Sequence, residues 1–106
     1  MPRFLVQASY TAQGAAGLLK EGGTARRDAV RKLVEAAGGR LESMDFAFGS
    51  DDVFITLELP SNADAAAIGL TVAASGAVDT RMNVLLAPEE IDEAAKKSID
   101  YRPPGS

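Results

Sequence analysis

Three groups of residues in this chain carry functional groups at spacings that permit chemistry. Lys20, Arg26 and Arg27 bracket the pair Gly22-Gly23, where one helical segment ends and the next begins. Free backbone N–H groups at a helix start, joined by guanidinium and ammonium groups, make a receptor for a carboxylate or phosphate. Asp51 and Asp52 sit side by side at a turn, as acid/base groups or cation holders would. Tyr10, Phe46, Phe48 and Phe54 are aromatic residues fit to line an apolar pocket for an aromatic substrate. In a catalytic arrangement Arg26 or Arg81 would hold an anionic group, and Asp52 or Tyr10 would move a proton. Each group has a plainer counterpart. Lys20 and Arg27 can be solvated while Arg26 pairs with an acid such as Glu21. Adjacent turn aspartates commonly cap backbone N–H groups, and six aromatics in a whole chain are enough to serve as core.

What is missing narrows the chemistry further. With no cysteine and no histidine, thiolate catalysis, disulfides and a Ser-His-Asp triad are impossible, and the commonest metal ligands are gone. No metal and no cofactor is expected. A net charge of −4 lacks the concentrated cationic surface that nucleic acid demands. No apolar run approaches the roughly 20 residues of a membrane span, and Met1-Pro2-Arg3 leads straight into a strand-like segment without a leader pattern. The expectation is a cytoplasmic protein without nucleic-acid or membrane partners. Residues 1–106 suffice for a single domain with one core.

The elements that must position these groups follow from periodicity. Phe46-Ala47-Phe48 and Val53-Phe54-Ile55-Thr56-Leu57 flank Gly49-Ser50-Asp51-Asp52, which reads as a β-hairpin with strands over Leu41–Phe48 and Asp52–Leu59. Before it, Arg3–Tyr10 alternates as a strand. Thr11 caps a short helix over Ala12–Lys20. Thr24 caps a second helix to about Ala37, with Val30, Leu33, Val34 and Ala37 at i, i+3, i+4, i+7. After the hairpin, Pro60 stops the strand and Ser61-Asn62-Ala63-Asp64 opens a small-residue helix to about Ser75 by a capping box. Its larger contacts are expected from Ile68, Leu70 and Val72. Val78–Leu86 alternates as the last strand. Pro88-Glu89-Glu90 begins a final helix, and Tyr101–Ser106 is an extended, polyproline-like tail, so that residues 88–106 form a helix and tail.

The order is βαββαβ with an extra C-terminal helix. Two right-handed crossovers then give an α+β fold: a four-stranded antiparallel sheet with both crossover helices on one face. Val53, Ile55, Leu57 and Leu59, with Val78, Met82, Val84 and Leu86, would meet the helices. The register of the second strand stays open, because Met44, Phe46 and Phe48 alternate against Leu41, Ser43, Asp45 and Ala47. The other sheet face would carry Leu5, Gln7, Ser9, Phe54, Thr56, Glu58, Arg81, Asn83 and Leu85. That mixture of apolar and polar groups suits a partly wet interface with a second subunit, or else an ordinary exposed face.

At the hairpin, Phe48-Gly49-Ser50-Asp51-Asp52-Val53 resembles the Gly-x-Tyr-Asp signature of the GYD domain family, part of the dimeric α/β-barrel group. Tyr10-Thr11-Ala12-Gln13-Gly14, Gly17-Leu18-Leu19-Lys20-Glu21-Gly22-Gly23, Ala73-Ala74-Ser75-Gly76, Leu86-Ala87-Pro88-Glu89-Glu90 and Tyr101-Arg102-Pro103-Pro104-Gly105 resemble it as well. Asp52 matches the family aspartate, whereas Asp51 stands where the name-giving tyrosine would fall. The resemblance implies a ferredoxin-like subunit that pairs its sheet with another copy, as a homodimer or higher oligomer, into a dimeric α/β-barrel. The expected function is an oligomeric domain binding a small organic molecule or partner in or beside that barrel. A cofactor-independent enzyme, monooxygenase- or isomerase-like, acting on a small apolar or anionic substrate is the alternative, and a purely structural assembly unit is a third. Without histidine, the His-ligated haem of some barrel relatives does not carry over.

Overall fold

The computed structural model describes residues 1–47 and 49–106; Phe48 lies outside the described residues. The elements run β1 (Arg3–Tyr10), α1 (Ala12–Glu21), α2 (Gly23–Ala36), β2 (Arg40–Phe46), β3 (Val53–Glu58), α3 (Asn62–Ala74), β4 (Val78–Leu85) and α4 (Pro88–Ala95). The four strands form one antiparallel sheet in the order β2-β3-β1-β4. This is an α+β, ferredoxin-like arrangement, with the two halves' strands interleaved and the central pair, β1 and β3, formed by the first strand of each half.

Alternation decides which residues enter the core. Phe4, Val6 and Ala8 of β1, Val53, Ile55 and Leu57 of β3, Leu59 just beyond it, and Val78 of β4 are buried on the helix side. Val30 and Val34 of α2 and Ala65 and Ile68 of α3 close over them. Each Phe, Val, Ile or Leu among them stabilises the fold by roughly 1.5–3 kcal/mol before the entropy of ordering is counted, the alanines less. The core thins toward the far end of β4, where Val84 and Leu86 are 55% and 57% exposed, so Val78 and Met82 meet the helices as expected and Val84 and Leu86 do not. Leu70 is also exposed, at 73%. Two residues past Ile68, it points some 200° around the helix, whereas Ala65, Ile68 and Val72 share one stripe.

The register of β2 is settled by a bulge. Leu41 pairs with Leu57 but Ser43 pairs with Thr56, so the ladder slips by one residue at Glu42. Leu41, Met44 and Phe46 thereby share the helix side, and Ser43 and Asp45 take the other. Close backbone approach sets where β2 can begin. A Cβ on Gly39 would lie 2.1 Å from the Glu58 carbonyl oxygen.

The caps show how few residues fix the helix ends. The Thr11 hydroxyl accepts from the Gly14 N–H at 3.3 Å and donates to the Gly76 carbonyl at 2.9 Å. The Ser61 hydroxyl accepts from the Asp64 N–H at 3.2 Å. At the α1–α2 junction the cap is Gly22 rather than Thr24: with φ 86° it both ends α1 and starts α2, and its N–H donates to the Leu18 carbonyl at 2.8 Å. A left-handed residue is needed to turn the chain between two abutting helices, and glycine adopts that conformation without Cβ strain. At α4, Pro88 follows the cap and the Glu90 carboxylate accepts the Ala87 N–H at 3.0 Å. Among the described residues no helix is long and apolar enough to cross a membrane.

Candidate functional site

The residues singled out for chemistry separate onto the two faces of the sheet. On the helix side, Tyr10 ends β1 and Arg26 sits in the first turns of α2, one turn before the buried Val30. That spacing carries the arginine stem along the packed face, as an amphipathic side chain with an apolar stem allows. A cavity of about 60 Å³ between sheet and helices is lined by Val6, Ala8, Val30, Ile55, Ile68 and Met82, with Arg26 and Tyr10 at its wall. Beside it opens a cleft of about 420 Å³ between α1, α2 and α3, lined by Gln13, Gly14, Gly17, Leu18, Glu21, Thr71 and Ser75. Tyr10, Arg26, Leu33, Val72 and Val78 belong to both. The cleft and the core cavity therefore share a wall, with Arg26 in it.

Arg26 is half-buried, and its Nε is a buried side-chain nitrogen with no hydrogen-bond partner among the described residues. No ion pair joins it to Glu21, although both line the cleft. A guanidinium N–H without an acceptor in a low-dielectric wall carries a desolvation cost that an acceptor would relieve. Lys20 and Arg27 do not join it. Both are exposed and line none of the three clefts, and the Arg27 Nε lies 3.7 Å from Asp28. The expected trio at Gly22-Gly23 thus reduces to Arg26.

A third hollow, about 520 Å³, lies outside α1 and is lined by Tyr10, Ala15, Leu18, Leu19, Gly23, Phe46, Ala47 and Asp52. An added Cβ on Gly23 would meet the Phe46 ring at 3.2 Å, so the half-exposed ring would have to give by a few tenths of an ångström. The Asp52 carboxylate accepts the Tyr10 backbone N–H at 2.9 Å, and its own N–H donates to the Ala8 carbonyl at 2.8 Å. Asp52 is accordingly a strand-end cap. The aromatic residues do not share one pocket: Tyr10 and Phe46 are on the helix side, while Phe54 is on the opposite face, paired with Gln7 and Asp45. Phe48 lies outside the described residues.

The open face holds an arrangement that sequence reasoning reached only in pieces. Across the strands run two rows, Asp45-Phe54-Gln7-Arg81 and Ser43-Thr56-Leu5-Asn83. Asp51, from the β2–β3 connection, is 7% exposed and accepts from one Arg81 guanidinium nitrogen at 2.7 and 2.5 Å. The Gln7 amide and the Ser9 hydroxyl approach the same carboxylate at 3.4 and 3.5 Å, and Asn83 donates to the Gln7 amide oxygen at 3.0 Å. Ser43 and Thr56 hydroxyls meet at 2.5 Å. At the rim Arg3 pairs with Glu42 at 2.9 Å and Arg40 with Glu58 at 3.0 Å. Hydrogen bonding to Glu42, then its charge, holds the Arg3 guanidinium pKa above its ordinary value. Among the described residues no three His, Cys, Asp or Glu side chains gather as metal ligands would.

Fold and sites together define a ferredoxin-like α+β subunit with an arginine-walled cleft under its helices and a mixed polar face on its sheet. The GYD domain model matches residues 4–95 of the 106-residue chain, and the chain belongs to the GYD domain family. Comparison with curated proteins and with solved structures gives no significant match.

Proposed function

We propose that this GYD domain binds a small, largely apolar organic anion in the cleft between α1, α2 and α3, with Arg26 as the counter-charge. The observation that carries this reading is the buried, unpartnered Nε of Arg26 in the wall shared by the 420 Å³ cleft and the core cavity. A volume of this order suits a small molecule. Arg26 set among Leu18, Leu33 and Val72, with Gln13, Thr71 and Ser75 as further polar partners, favours carboxylates or similar anions over neutral analogues, while the Glu21 carboxylate on the same wall limits the anionic charge accepted. The open sheet face supports a second part of the reading, self-association face to face into a barrel. Phe54, Leu5 and Leu85 there lie among polar groups that a facing copy could satisfy.

Titration calorimetry with a panel of small aromatic and branched aliphatic carboxylates, each beside its neutral amide, tests the site. A carboxylate is expected to bind and its amide to bind weakly or not at all. Arg26→Met should reduce carboxylate affinity roughly ten- to a hundred-fold, the worth of one or two charge-assisted hydrogen bonds, while Arg27→Met leaves it unchanged. Equal affinity of Arg26→Met and wild type for the same carboxylate would remove Arg26 from the site. Tyr10, which borders the same cleft, favours a second reading in which the bound molecule is turned over without a cofactor. Chemical change of the bound carboxylate, lost in Tyr10→Phe with binding intact, would distinguish it.

A further inference from the structure

The C-terminal segment behaves unlike the rest of the chain. Every residue from Pro88 to Ser106 is exposed, α4 buries nothing, and Ile91, Ile99 and Tyr101 stand 53%, 82% and 71% exposed. The radius of gyration is 17.0 Å and the long axis 56 Å, where a compact chain of this length would have a radius near 13 Å. The helix and tail therefore project from the body as an arm with an apolar side and nothing beneath it.

On the body, the hollow of about 520 Å³ outside α1 is apolar except for Asp52, already engaged as a cap, and the Tyr10 phenol. Leu19 on its edge is 89% exposed and Phe46 40%. The two helices that border it, α1 and α2, carry Lys20, Arg26, Arg27, Arg31 and Lys32 against Glu21, Asp28 and Glu35 along their whole length, a net positive charge, with Arg27 and Arg31 both near Asp28. The arm's helix carries Glu89, Glu90, Asp92 and Glu93 with no base, and the tail beyond it adds Asp100 beside Lys96, Lys97 and Arg102, which leaves the arm net acidic. Charge and apolar surface thus match between two unsatisfied parts of one sequence.

The two parts lie at opposite corners of one molecule. The arm leaves β4 at Leu85, level with Arg3, whereas Phe46 is level with Val53 and Ala8 on the far edge strand. Three strand spacings and five residues of rise separate them, about 14 Å across and about 17 Å along the sheet. We propose that the arm, Pro88–Ser106, docks on a second copy, in the groove lined by Ala15, Leu18, Leu19, Gly23, Phe46 and Ala47. Ile91 and Ile99 or Tyr101 supply the apolar contacts, in the manner of an amphipathic helix laid in a groove. The polyproline-like Arg102-Pro103-Pro104 end is already extended, which lowers the entropy lost on docking. Two-fold symmetry makes the exchange reciprocal, one arm each way. The inference shares with the preceding section only the need for a second copy; it does not rest on the anion site or on the sheet-face contact.

The test uses two full-length versions of the chain expressed together. One carries Tyr101→p-benzoylphenylalanine, and the other keeps Tyr101 and bears an N-terminal affinity tag. Irradiation is expected to join them, with the tagged chain modified between Ala15 and Gly23 or at Phe46-Ala47. Leu19→Glu in the tagged chain, at a position already exposed and so safe for folding, should abolish that product. Modification confined to the photoreactive chain itself, or falling elsewhere on the tagged one, overturns the arm exchange. Light scattering separates the failures: a dimer with misplaced or internal crosslinks overturns the arm alone, whereas a monomer removes the second copy and the sheet-face pairing with it.

Discussion

At the scale of single residues, Asp51 has the most to lose. Its carboxylate is nearly covered and depends on Arg81, whose own side chain is 64% exposed. An ion pair so open on one side contributes about as little as other surface pairs, but stranding its buried member costs more. Arg81→Leu leaves Asp51 with only the long contacts to Gln7 and Ser9, and is expected to lower stability by about 1–3 kcal/mol. Urea denaturation reads this as a lower midpoint at unchanged slope. In a double-mutant cycle with Asp51→Asn the coupling should be about 0.5 kcal/mol or more, and strict additivity would show that the network is incidental. The sequence made Arg26 legible, because its place one turn before Val30 put its stem on the packed face. In the sequence Asp51 reads as an acid/base group, a cation holder or a backbone cap at a turn, with no hint of Arg81. Its partner is 30 residues away in the chain, and nothing in local pattern announces a contact across three strands.

At the scale of elements, strands and helices were legible because their period is written in apolar residues: Val30, Leu33, Val34 and Ala37 on α2, and alternate residues on β1, β3 and β4. Less legible were features made by backbone meeting backbone. The bulge at Glu42 decides which way Met44 and Phe46 face, and no residue type there signals an extra residue in the ladder. The shared cap at Gly22 was hidden by Thr24, which has the better capping side chain but stands two residues too late. Glycines divide in the same way. Gly39→Ala would drive a methyl into the Glu58 carbonyl and is expected to cost about 1–3 kcal/mol or more. Gly17→Ala, on a helix with nothing within 4 Å of the new methyl, should instead stabilise by about 0.4–1 kcal/mol. Thermal unfolding of the two single variants separates them by sign, and a stable Gly39→Ala would mean that β2 can start elsewhere.

At the scale of the whole molecule, the sheet has one face committed to a core and one that is neither apolar enough to be buried alone nor charged enough to be ordinary surface. Thr56 stands in the middle of that face, between Ser43 and Leu5. Thr56→Lys should break face-to-face pairing while leaving the subunit folded, since a lysine there can extend into water once the copies part. Light scattering is expected to show a halved mass with unchanged circular dichroism; an unchanged oligomeric mass would dismiss this face as the contact. The alternation of Gln7, Ser9, Arg81 and Asn83 made the face legible in the sequence. Whether a second copy covers it was not, because a partner leaves no trace in the periodicity of the chain it covers.

The bare underside of α1 has a kinetic consequence. The helix walls the cleft yet contributes no buried side chain of its own, and it is fastened chiefly at its two ends, by Thr11 against Gly76 and Ala77 and by the turn at Gly22. Lifting it breaks few contacts, chiefly the close approach of Gly14 to Tyr10 and Ala77, and leaves the strand ladder intact. Opening of this helix is thus a local excursion, far cheaper than unfolding. If the cleft holds the proposed anion, that guest enters and leaves on the clock of one short helix, while the lifetime of the fold is set elsewhere, by Phe4, Val34, Leu57 and Leu59.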